Sequence, residues 1–405
     1  MAKLTKAQRR RRKQRRRMIR GAMEIAGLLL LALVCFLLWR GVSNARPAAP
    51  AATAAPTLQP TPEPTPTPAP TPIPTATPEP TPTPAPTPIT ITLTAVGDCT
   101  IGGDMRGSSE ERFFNEVSDE DGLIDYDYCF KNVASIFGAD DITLVNLEVV
   151  LTDSDDYLRR EDKKYIMRGK PEYVNMLTGS SVEVCNIANN HMTDFGDAGI
   201  EETVALLEKN DLLYCGYGYS SVMDVKGVKV GFVGINYWTT REGDFKAQIE
   251  TMREKADIVI VSIHWGTELE YYPEDRQQIW GKTAVDCGAD LVVGHHPHVI
   301  EGMEEYNGVN IVYSLGNFCF GGNANPKDKD TFIYQHTFTL DPLTKEIIDT
   351  DYTVIPCKIT SVEDDSRNNY QPTPIASKED QKRLLEKIEY YSRKLKNPLN
   401  LTGEE

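Results

Sequence analysis

From Ile89 onward the chain alternates short β-branched runs with amphipathic stretches, and nearly every run stops at a polar residue. The runs cover 89–96, 142–147, 182–188, 228–235, 257–263, 290–293 and 310–315, and helical spacing of apolar residues appears over 198–209, 244–255 and 274–287. Such alternation predicts an α/β domain with much parallel pairing. Two later runs, 332–340 and 347–355, are expected as antiparallel or edge strands. Ser377, with Asp380 three residues on, predicts a capped final helix whose Leu384, Leu385, Ile388 and Tyr391 form one apolar face. The expected domain therefore covers 89–360, followed by a loop and amphipathic helix over 361–405.

The residues at the run ends carry the chemistry. They are Gly97-Asp98, Asn146-Leu147-Glu148, Asn189-Asn190-His191 with Asp194, Asn236, His264-Trp265-Gly266 with Glu268, His295-His296-Pro297-His298, and Gly316-Asn317. In open α/β sheets, ligands bind outside the carboxyl ends of the strands. Five of the six histidines fall in these clusters, while His336 lies mid-strand and reads as structural. Histidine, carboxylate and amide side chains together make an oxygen/nitrogen ligand set for a divalent metal ion, with Mn, Fe and Zn not distinguished. The eight cysteines include no CxxC pair, and most sit in or beside apolar runs, where they behave as small hydrophobes. Neither GxxxxGK[ST] nor GxSxG occurs, which argues against an NTPase loop or a serine-hydrolase elbow.

The first 88 residues cannot supply a core. Residues 1–20 hold eleven Lys or Arg and no acid, and 21–39 are apolar apart from Glu24. Counted from Met18, the apolar stretch reaches the roughly 20 residues of a membrane-spanning helix. The basic flank predicts the N-terminus inside and the rest outside. A cleaved signal peptide is the competing reading, with Ser43-Asn44-Ala45 as a passable cleavage site, but the long basic region favours an anchor. Residues 40–88 form a Pro/Thr-rich linker in which 61–73 recur as 77–89. Alternating proline over 47–88 forbids helix and favours polyproline II, about 130 Å if fully extended at about 3.1 Å per residue. Residues 1–46 balance at +12 within a total of −16, leaving −28 for the remainder. That acidity argues against nucleic acid as a partner.

Asn146-Leu147-Glu148, Ala188-Asn189-Asn190-His191 with Asp194 and Gly196, His264-Trp265-Gly266, Gly294-His295-His296-Pro297-His298 and Tyr313-Ser314-Leu315-Gly316-Asn317-Phe318 resemble the CapA/PgsA family of bacterial capsule and poly-γ-glutamate synthesis proteins. The resemblance holds its order over 90–320. That family is similar to the calcineurin-like metallophosphoesterases, which implies a four-layer α/β/β/α sandwich with a two-metal site. By the same resemblance Asp98, Glu148, Asn190, His264, His296 and His298 are metal ligands, with Glu148 in place of the bridging acid. Which two of His295, His296 and His298 bind stays open, although His296 and His298 are taken here. His191, oriented by Asp194, corresponds to the residue that protonates the leaving group, and Asn146, His295 and Asn317 are further site candidates. The related enzymes usually open Asp-x-His, whereas Asp98 is followed by Cys99-Thr100. One ligand of the first metal is thus missing, leaving either a substitute, Asp104 or Glu148, or a mononuclear site.

Two functions follow from this resemblance. The first is a membrane-anchored extracellular protein of capsule or poly-γ-glutamate biosynthesis or export, with a surface polymer and membrane synthase subunits as partners. The second is a metal-dependent hydrolase, acting on phosphoesters or a cell-surface polymer, unrelated to capsule synthesis.

Overall fold

Side chains in an extended strand alternate between two faces, and that alternation sorts the apolar runs into three separate cores. A computed structural model describes residues 86–157 and 163–403, all within one unit, Pro82–Glu405. In β3 (Ile142–Leu147), Ile142 and Leu144 enter one core, while Val145 and Leu147 enter another. In β9 (Val228–Asn236) and β10 (Ile258–His264), Val230, Phe232, Ile258 and Ile260 share the core of Ile142, and Val233, Ile235, Val261 and Ile263 face a third. Both faces of each sheet are therefore covered, which explains why the runs are apolar throughout.

The first sheet runs β17-β16-β15-β1-β3-β6-β7, with β14 also paired to β1. Its further strands are β1 (Ile89–Thr100), β6 (Val184–Asn186), β7 (Leu213–Cys215), β14 (Asn317–Phe320), β15 (Asp330–Leu340), β16 (Ile347–Lys358) and β17 (Thr373–Pro374). The second runs β12-β13-β11-β10-β9-β8, adding β8 (Ser220–Val225), β11 (Leu291–His295), β12 (Met303–Tyr306) and β13 (Val309–Val312). A small third sheet joins β2 (Gly103–Asp104), β5 (Met167–Gly169) and β4 (Val150–Leu151).

Helices cover the outer faces. Over the first sheet lie α1 (Ser109–Val117), α2 (Ala134–Phe137), α3 (Val174–Thr178) and α4 (Gly196–Lys209), contributing Phe113, Phe137, Met176 and Leu207. Over the second lie α5 (Glu242–Arg253) and α6 (Asp275–Asp286), contributing Phe245, Ile249 and Ala284. The layers are thus helices, sheet, sheet, helices. The final helix, α7 (Lys378–Ser392), sends Leu384 and Ile388 into the core between the sheets. Ser377 caps it, accepting from the Asp380 N–H at 3.3 Å.

Three runs differ from expectation in ways that matter for the site. β1 continues past residue 96 to Thr100, so Asp98 lies within a strand. The run 182–188 keeps only three strand residues, because the Asn186 side chain accepts the Ala188 N–H and turns the chain. The run 310–315 leaves the second sheet after Val312 and rejoins the first at Asn317. The seven described cysteines are free and six are buried, as small hydrophobes would be.

The tail 1–20, the segment 21–39 expected as a membrane anchor, and the linker up to residue 85 lie outside the described residues. Among the described residues, no helix is long and apolar enough to cross a membrane.

Candidate metal centre

Parallel strands end on the same side, and the register here aligns their polar residues into rows. Across the first sheet Asn317, Asp98, Asn146 and Asn186 are successive neighbours. Across the second, Asn236, His264 and His295 are. The two rows meet at the carboxyl edge of the sandwich. Asn146 Nδ2 donates to Asp98 Oδ1 at 2.8 Å and lies 3.2 Å from His264 Nδ1 in the other sheet. The orientation of Asn146 is set from below, since Asn186 donates to its Oδ1 at 3.0 Å.

Close approach of the strands at this edge requires residues without a β-carbon. At Gly294, just before His295, a Cβ would stand 2.0 Å from the Tyr313 carbonyl oxygen, which already accepts the Trp265 indole N–H at 2.8 Å. On both sides of Pro297 the backbone is left-handed, with φ of 97° at His296 and 57° at His298. Such conformations are costly for a residue with a side chain and persist where surrounding structure holds them. They return both imidazoles to the centre, where the His296 ring lies 4.8 Å from that of His264. The His298 Nδ1 lies 3.1 Å from Asp98 Oδ2 and 2.9 Å from Asn317 Oδ1.

Two ligand groups result. One atom each from Glu148, His264 and His296 lie within 4.8 Å of one another, and so do atoms of Asp98, Glu148 and His298. Glu148 belongs to both groups. Asn190 Oδ1 sits 2.9 Å from His264 Nε2. His295 is buried beside Asp98, its Nδ1 3.6 Å from Oδ1, and belongs to neither group. Asp104 is also in neither group; it accepts the Ile166 N–H at 2.9 Å and pairs with Arg106. Thr100, two residues after Asp98, donates to the Glu148 carbonyl at 3.2 Å.

These residues fit a divalent cation on two counts. Both carboxylate oxygens of Glu148, and Nδ1 of His296, are buried without a hydrogen-bond partner. Two buried carboxylates also demand positive charge. Burial opposes ionisation of Asp98, yet the hydrogen bond and charge of His298, then His295 and His264, hold it well below the ordinary range. Burial likewise works against a charged His298, but Glu148 and Asp98 push it up to about 10. Burial lowers His295 to about 4 and keeps His296 well below its usual value.

Beside the ligands, His191 Nδ1 lies 2.8 Å from Asp194 Oδ2, which also accepts the Met167 N–H at 2.8 Å. Lys163 donates to Asp194 Oδ1 and to the Asn190 carbonyl. Burial first, and then the Lys163 charge, keep His191 neutral, well below its ordinary value. With Nδ1 on a carboxylate, Nε2 is the ring nitrogen left to exchange a proton.

Asp98, Asn146, Glu148, Asn190, His191, Asp194, His264, His295, His296, His298 and Asn317 are thus brought to one edge, whereas Asp104, expected as a substitute ligand, bonds elsewhere. Three contributors were not singled out from the sequence. Asn186 was hidden inside an apolar run, although a buried asparagine there is itself a signal. Lys163 and Trp238 lie on connecting segments without periodicity, and only tertiary contacts bring them in. The Trp238 ring packs 4.6 Å from that of His296.

Fold and site together define a two-sheet α/β sandwich with a histidine–carboxylate centre where its strands end. A family model described as bacterial capsule synthesis protein PGA_cap matches residues 92–322, and the chain belongs to that family. The resemblance read from the motifs is thereby borne out. The chain is 34% identical over 253 residues to the PGA biosynthesis protein CapA of Bacillus subtilis (strain 168), covering 57% of this chain and 63% of that protein. It is 31% identical over 274 residues to the capsule biosynthesis protein CapA of Bacillus anthracis, covering 61% and 63%. The match thus spans just under two thirds of each relative's length. Among solved structures, the calcineurin-like phosphoesterase YfkN from Bacillus subtilis is similar at 14% identity and a TM-score of 0.40, covering 75% of this chain and 99% of that one.

Proposed function

We propose that this protein is a membrane-anchored, outward-facing component of capsule or poly-γ-glutamate biosynthesis or export, and that its centre holds divalent metal on which that role depends. The observation that carries this reading is that every residue of the centre, from Asp98 to Asn317, falls within the family match over 92–322. The basic tail and apolar segment support the anchor, and the Pro/Thr linker suits a stalk that holds the domain away from a membrane.

A divalent ion at such a site supplies a Lewis acid that activates water and polarises an acyl or phosphoryl oxygen. Asp98, Glu148, Asn190, His264, His296 and His298 would hold it, with Asn146, His295 and Asn317 bracing or adjoining them. Asp194 fixes the imidazole of His191, leaving Nε2 to take or return a proton. This dyad also favours a second reading, a hydrolase of phosphoesters or surface polymer outside capsule synthesis, because a pure binding protein has no need of it.

The test is complementation of a producing strain that lacks its own relative. The full chain is expected to restore cell-associated γ-linked polyglutamate and to sediment with membranes, and Glu148→Gln to restore none. Normal polymer from a Glu148→Gln protein shown to be metal-free would end the claim that the role depends on metal. Turnover of phosphoesters by the purified chain, without any effect on polymer, would favour the second reading.

A further inference from the structure

The loops after β9 and β10 and the first turn of α6 line a cavity of about 210 Å³ beside the metal centre. One wall is Trp238, whose ring stands edge-on to His296 at 4.6 Å and lies 5.9 Å from His264. Trp238 is 48% exposed, unusual for so large an apolar residue. Arg276 lines the same cavity and donates one N–H to the Tyr237 hydroxyl at 2.8 Å. A guanidinium has five donors in a fixed planar fork, so most of its capacity remains. Arg168, Arg241, Arg253, Arg367 and Arg383 each pair with a carboxylate, whereas Arg276 has no such pair among the described residues. The acid in the wall, Glu274, accepts the Thr267 hydroxyl at 2.6 Å. In a region whose net charge is −28, this is a cation held next to the centre without an acid of its own.

We propose that the cavity is a subsite for one carboxylate side group of an acidic polymer whose backbone passes the metal centre, with Arg276 as the specificity-determining residue. The planar fork matches a carboxylate bidentately, and the Trp238 face covers the methylenes that follow it. The subsite rests on the polyglutamate reading above. It adds the residue that selects an acidic chain over a neutral one.

Calorimetric titration of the full chain in the presence of Mn²⁺ tests this, using γ-linked hexaglutamate and, separately, tripolyphosphate. Arg276→Ala is expected to weaken hexaglutamate binding about tenfold or more, the effect of losing a charge-assisted bond. Arg276→Lys should recover only part, having charge without the fork. Lys229→Ala, at the far end of β9, should bind as the wild type does. Arg276 is exposed, so unfolding temperatures are expected to be unchanged, and the lysine variant serves if the alanine variant does not fold. Equal hexaglutamate affinity in wild type and Arg276→Ala would overturn the subsite while leaving the polymer reading intact. Arg276-dependent binding of tripolyphosphate alone would overturn the carboxylate assignment and the polymer reading together. Binding of neither probe by the wild type overturns the subsite.

Discussion

Both carboxylate oxygens of Glu148 are buried and neither finds a hydrogen-bond donor, so holding the side chain there costs free energy that a cation would offset. Glu148→Gln is expected to change the stability of the chelated protein by no more than about 1 kcal/mol, because relief of the burial cost is offset by the charge lost beside His298. The same substitution should abolish stabilisation by Mn²⁺ and strip bound metal, read by urea denaturation with and without chelator and by metal analysis. Metal titrating into Glu148→Gln as it does into the wild type would remove Glu148 from the ligand set. Asp194 is the opposite case, since each of its oxygens is bonded. Asp194→Ala leaves the Lys163 ammonium and the Met167 N–H without that partner, an expected loss of about 3 kcal/mol. A urea midpoint close to that of the wild type would show that Lys163 finds compensation elsewhere.

At the scale of elements, α7 is held to the first sheet by charge as well as by Leu384 and Ile388. The Arg383 guanidinium donates to both oxygens of Asp330 at 2.8 Å, and Lys387 reaches Asp330 at 2.7 Å. Burial alone would raise the Asp330 carboxyl, but these cations outweigh it and hold it at about 2, below its ordinary 3.8. Because the folded value lies below the unfolded one, the contribution is whole above about pH 4 and is lost as pH falls towards 2. Its size is about 2 kcal/mol. Asp330→Asn is accordingly expected to lower stability at pH 7 and to match the wild type near pH 2. Parallel denaturation curves at both pH values check this. A deficit that persists unchanged at pH 2 would locate the effect in packing instead.

At the scale of the whole molecule, the centre joins two sheets that otherwise meet through an apolar core. Candidate ligands from β1 and from the segment after β3 face those from β10 and from the loop after β11, so an ion held there would tie the sheets at one end. Binding to the folded state alone stabilises by about 2.7 kcal/mol at a hundredfold excess over Kd. Mn²⁺ is thus expected to raise the unfolding temperature and a chelator to lower it. Hydrogen exchange should quicken on chelation at Asn146, His264 and His295, while Ile91, Leu93 and Ile260 stay protected. Uniform quickening across the core would mean that metal acts on global stability without tying the edge.

The periods of the apolar runs, the acidity of the domain, the proline linker and the ligand types at the run ends all lay in the sequence by itself. Each depends on residues near one another along the chain, whose spacing alone decides helix or strand. That parallel strands share one edge extended this to a site, because Asp98, Asn146, His264 and His295 had to emerge on one side of their sheets. Which sheet would face which was not local. The contact between Asn146 and His264 joins residues 118 positions apart, and the chain reaches the first sheet at Asn317 only by leaving the second. Lys163 and Trp238 lie on segments with no period that could announce them, and the helical spacing over 274–287 does not mark Arg276 for a site. Only packing of the two sheets, driven by burial of the core between them, brought these side chains to the ligands that the sequence had already named.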